Sequence, residues 1–165
     1  MAVRRSVTLG LFLAWLANDA EEWFTMAPWT QANPDRTPPW MREPMSQEHA
    51  RTAISLMGLV VLAASLRGAQ TGGRSPFFQS ALFGFGVHGA GHLVATALHG
   101  GYTPGVATAP TVVIPYSLWA WRELGRAGVR RDDSRSWLSG VLMIPVSLAA
   151  VHGAARLITR WRKTG

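Results

Sequence analysis

Asp19, Glu21 and Glu22 fall within four residues of an otherwise apolar stretch, LFLAWLANDAEEWF. Three of the five histidines, His88, His92 and His99, fall in a run from Ser75 to Trp121, 47 residues without a formal charge. Carboxylates and imidazoles in apolar surroundings support two kinds of chemistry. Glu and His side chains suit a divalent metal, and His at i and i+4 on one helix can share one ion. Without a metal, a carboxyl group and a histidine can act as an acid–base pair. A haem between His88 and His152 is a third arrangement, but the sequence carries no other haem signal.

Spacing decides which of these groups can meet. A helix turns 100° per residue, which brings His88, His92 and His99 onto one face, within about 40° of each other. Gly84, Gly86, Gly89 and Gly91 surround the first two. Small residues let a second helix approach closely, so this face points at protein rather than lipid. Depth is the second test. If three parallel helices begin at Ser6, Phe77 and Trp137, then Glu21, His92 and His152 each lie about 22 Å along, with Glu22 one residue deeper.

The candidate catalytic residues are therefore Glu21, Glu22, His88 and His92, which are also the candidate metal ligands. Asn18, His99, Tyr102 and His152 are candidate supporting residues; His99 and Tyr102 either cap the site or structure a turn. Asp19 is expected to be solvated at the interface, and His49 to lie on the surface in a polar loop. The bland alternative solvates the carboxylates and uses the histidines as interhelical hydrogen-bonding glue.

The elements that must hold these groups are membrane helices. Crossing a bilayer takes about 20 apolar helical residues. The run Ser75 to Trp121 fits two crossings, and Trp137 to Ala155 is a further 19 residues without charge. The spacing predicts an all-α polytopic bundle, one domain over 1–165, with helices over about 6–27, 50–66, 77–99, 104–123 and 136–159. Pro28 ends the first. A proline-rich loop, 28–49, follows it and would cover the site, with Trp29 and Trp40 at the membrane interface. Pro110 and Pro115 lie inside the fourth helix. The N-terminus is expected inside, by nine basic residues to seven.

Composition narrows the class further. The chain has no cysteine, which removes disulfides, thiolate catalysis and Cys-ligated metals. Its net charge of +7 is split into clusters, RR at 4–5, RRDDSR at 130–135 and RWRK at 160–163. These flank the apolar runs and suit anionic lipid rather than nucleic acid.

Glu21-Glu22 after a polar residue at 18, a later histidine-bearing helix, and HGGYTPG at 99–105 together resemble a bacterial family of small multipass membrane proteins. That family is named for its His-x-x-Glu-Glu motif. The resemblance runs from the first helix through the fourth. It implies a membrane protein and no particular reaction. Asn18 stands where the family has its histidine, which removes one titratable ligand.

The expected function is an enzyme of the cell membrane acting on a lipophilic small molecule. It would work by acid–base chemistry of the isomerase or cyclase kind, or with a divalent metal. The competing class is a transporter or a metal-binding accessory protein.

Overall fold

A computed structural model describes residues 3–36 and 45–164, without the side chains of 134–136, 163 and 164. Among these residues the regular elements are all helices: α1 (Arg5–Ala32), α2 (Gln47–Gln70), α3 (Pro76–His99), α4 (Ile114–Arg126) and α5 (Ser134–Thr164). A short 3-10 turn, Pro34–Arg36, follows α1, and a π-helical turn, Ala109–Val113, leads into α4. The helices form a closed ring. α2 lies between α1 and α5, α3 between α5 and α4, and α4 with its π turn returns to α1.

Local chemistry sets most of the boundaries. Ser46 and Ser75 cap α2 and α3 by accepting from the backbone N–H groups of His49 and Phe78. Pro76 occupies the first turn of α3, and Gly100 closes it with φ +71°. Two expectations fail at prolines. α1 passes through Pro28 and ends at Ala32, because a proline one turn from a helix end forfeits only one backbone bond there. The fourth helix does not begin at Pro104; it begins with the π turn at Ala109, which runs directly into α4. Pro110 falls in the first turn of that segment, where no N–H is needed, and Pro115 lies where the π turn passes into α4. Trp40, and the cover expected from the centre of the proline-rich loop, lie outside the described residues.

The glycines of α3 work as the spacing suggests. A Cβ on Gly84 would meet the Gly140 carbonyl of α5, and one on Gly89 would meet Val113 before α4. α3 thus packs closely on both sides. The main apolar core, including Leu11, Trp15, Phe78, Leu82, Val113 and Leu124, fills the end of the bundle where α1 and α3 begin. There Gln79 donates to the carbonyls of Gly73 and Val129 and accepts from the Arg131 N–H, tying two loops together.

Outside, the bundle is apolar. Leu13, Phe24, Leu59, Leu98 and Leu157 are each more than 60 % exposed. Among the described residues three helical stretches are long and apolar enough to cross a membrane: Gln47–Gln70, Pro76–His99 and Trp137–Arg162. The other two helices of the expected five do not meet that standard. α1 is long enough but carries three carboxylates at its middle, and α4 has only 13 residues.

Candidate functional site

The polar groups lie toward the opposite end from the core. Glu22 is buried on α1 and faces α3. Its Oε1 lies 3.0 Å from His92 Nε2 and 3.7 Å from His88 Nε2. The two imidazole Nε2 atoms are 2.9 Å apart, with their rings edge to face. Among the described residues these three have donor atoms converging as a metal-ligand group would. The i, i+4 spacing of His88 and His92 brings the rings together edge to face, and the loop beyond α3 packs on one of them. Gly105 (φ +85°) lies against the His92 imidazole so closely that a Cβ there would overlap the ring.

Glu21, one step along the same helix, points elsewhere. It accepts from the Tyr102 hydroxyl (2.7 Å), the Thr108 hydroxyl (2.7 Å) and the backbone N–H groups of Thr108 (3.0 Å) and Ala107 (3.3 Å). Those amides sit at the N-terminus of the π turn and α4, where free N–H groups and the helix dipole favour an anion. Burial holds the Tyr102 phenol above its ordinary pKa, and facing Glu21 adds to this, so it remains a donor at neutral pH. Asn18 joins the two carboxylates. Its Nδ2 donates to Glu22 Oε1 at 3.3 Å, and its Oδ1 lies 3.1 Å from the Thr108 hydroxyl.

The remaining histidines separate from this group. His99 shares a helix face with His88 and His92 but sits two turns beyond. It contacts the Arg36 guanidinium at 3.2 Å and the Trp29 ring. Trp29 also donates to the Tyr102 carbonyl, so the last turns of α1 and the loop after α3 meet at one end of the bundle. His152 pairs with His49, Nδ1 to Nε2 at 2.9 Å. His49 is thus a half-buried partner of α5, not a free surface residue. Depth could have found it: it enters α2 from the end at which His152 lies. Asp19 is buried rather than solvated. The signal there was its spacing, since residues 19 and 22 share a helix face.

A cavity of about 240 Å³ connects these groups. Asp19, Glu22, His88, His92 and His152 supply its polar wall, and α1, α2, α3 and α5 supply apolar walls. Four methionines, Met26, Met45, Met57 and Met143, line it. Flexible thioether chains adapt to irregular apolar ligands. Trp15, Asp19 and Ile54 also line an outer groove between α1 and α2, so the cavity and the groove adjoin across these side chains. Gly58 lets the Trp15 ring approach α2 closely in that wall.

The fold and the site define an all-helical bundle with a Glu/His group buried beside an apolar cavity. The model of a family described as a protein of unknown function with HXXEE motif matches residues 9–120, and the chain belongs to that family. No curated protein and no solved structure matches it. The matched span holds Asn18, Glu21, Glu22, His88, His92, Tyr102 and Thr108; His152 lies beyond it.

Proposed function

We propose that the chain is a multi-pass membrane enzyme. Its cavity binds a lipophilic small molecule against Glu22, His88 and His92. The observation that carries this reading is a carboxylate and two imidazoles in mutual contact on the wall of an apolar cavity. A pocket with mostly apolar walls and a few convergent polar groups is the usual form of a small-molecule site. Its volume is near the small end of the common range of about 300–1,000 Å³, which suits a compact ring or a chain terminus.

All five helices cross the bilayer in this reading. The carboxylates of α1 do not forbid it. Each costs about 2.5–3.5 kcal/mol at a membrane centre when isolated. Here Glu21 has four donors, and Glu22 has Asn18 and His92. α4 and its π turn together span 18 residues, about 27 Å at the α-helical rise. Cysteines placed at 33 and 101 should then react with an impermeant reagent from the same side of the membrane. Labelling from opposite sides rejects this topology.

The enzymatic reading is tested by what the protein carries. Organic extracts of the purified wild type and of Glu22→Gln are compared by mass spectrometry. The enzyme predicts that the variant retains an unconverted lipophile whose mass or isomeric form differs from that released by the wild type. The same molecule in the same form on both proteins makes the chain a carrier rather than an enzyme. Filling the cavity with Ala53→Leu should remove the bound molecule while helical content is kept.

A further inference from the structure

We propose that Glu22, His88 and His92 hold one divalent first-row transition-metal ion, with its open side toward the cavity. The inference rests on the reading above that this group is the working end of the cavity, and it specifies what the group binds.

An ion about 2.0–2.1 Å from nitrogen and oxygen donors spaces neighbouring donors about 2.9–3.4 Å apart. The three donor atoms form a triangle with edges of 2.9, 3.0 and 3.7 Å. One face of a tetrahedral or octahedral shell fits that triangle after a shift of a few tenths of an ångström.

Both imidazoles direct Nε2 at each other and at the same carboxylate oxygen. Two Nε2–H groups would direct their hydrogens into a gap of 2.9 Å. With one hydrogen, the two rings share a single N–H···N bond, and neither nitrogen has a second hydrogen to offer the carboxylate oxygen beside them. A cation accepts the lone pairs of both nitrogens and of the carboxylate together.

All three ligands line the cavity, which leaves the remaining coordination positions facing the space where a lipophilic molecule would lie. Two histidines and one carboxylate with open positions is a ligand set used for catalytic zinc and for non-haem iron. Asn18 donates to the ligating oxygen of Glu22, and Gly105 confines the His92 ring. Such outer contacts orient ligands.

The test uses the full chain, tag-free, in nanodiscs and stripped with chelator. Cobalt(II) is titrated and followed by its visible absorption, and zinc is then added as competitor. The expected result is one ion per chain, displaced by zinc. His88→Gln, His92→Gln and Glu22→Gln should each weaken binding by at least about 100-fold. Glu21→Gln should bind as the wild type does. Asn18→His places a third imidazole beside Glu22 and should tighten binding, a gain that misfolding cannot imitate. The site is overturned if folded wild type takes up no ion. It is also overturned if the His88 and His92 variants bind as tightly as wild type, or if Asn18→His leaves affinity unchanged or weaker. Retention of the lipophile by metal-free protein separates the two readings. A bound lipophile with no metal site overturns the ion alone, and loss of both overturns the cavity as well.

Discussion

Glu21 and Glu22 are neighbours of the same type on one helix, and 100° of rotation separates their surroundings. Glu21 meets a complete set of donors: a phenol, a hydroxyl and two backbone amides, all from the segment 102–108. Those donors fix an anion in place. Glu22 meets Asn18 and two imidazoles, beside a cavity. Imidazoles can change protonation or ligation, and the cavity admits a second molecule. The two surroundings divide the roles. Glu21 joins α1 to the start of α4, and Glu22 is left to the proposed chemistry.

The most severe test of that division is Glu22→Gln. It should reduce turnover of the bound lipophile by at least about 100-fold while leaving helical content and unfolding temperature near wild type. A variant that unfolds, or one that stays active, breaks the distinction. Glu21→Gln should do the reverse. Hydrogen bonds to a charged group contribute about 1.5–3 kcal/mol each, so losing the charge should lower unfolding stability in detergent by about 2–3 kcal/mol. Turnover per folded molecule should stay within a few-fold. Gly105→Ala sharpens the contrast from the loop side. Its positive φ and its contact with His92 should cost about 1–2 kcal/mol. Because the collision is with the His92 ring, activity should fall more than stability, as paired unfolding and turnover measurements would read. Tyr102→Phe should have the smallest effect. It removes one of four donors to a partly exposed carboxylate, so about 1 kcal/mol of stability should go, with no change in lipophile or metal binding.

Much of this arrangement could be read from residue types and spacing. The i, i+4 pair His88 and His92, the glycine face of α3 and the depth shared with α1 all follow from helical geometry. The helix ends of α3 were legible because Ser75, Pro76 and Gly100 are strong local signals. Pro28 misled because a proline near the last turn of a helix resembles a stop. The division between Glu21 and Glu22 was not legible, since the rotation of α1 depends on which neighbours surround it. HGGYTPG was readable as a turn or as a cap. It is both: Gly100 ends α3, Tyr102 holds Glu21, and Gly105 packs on His92. His49 was hidden because it stands where a polar loop becomes a helix, and a loop residue shows no face until that helix is drawn.

The cradle around Glu21 also bears on how the chain is built. Its donors lie 81 to 87 residues downstream. When α1 leaves the ribosome those donors have not been made, and neither have His88 and His92. The first segment therefore reaches the translocation machinery with three acidic side chains and no partners. At about 2.5–3.5 kcal/mol each, it cannot partition into lipid alone. If α1 crosses the bilayer as proposed, it must wait at the insertion machinery, or stay at the membrane surface, until α3 and the start of α4 arrive. Biogenesis then runs partly from the middle of the chain back to its beginning. A truncation ending after α2 should leave α1 outside the bilayer, and one extending through α4 should bring it in.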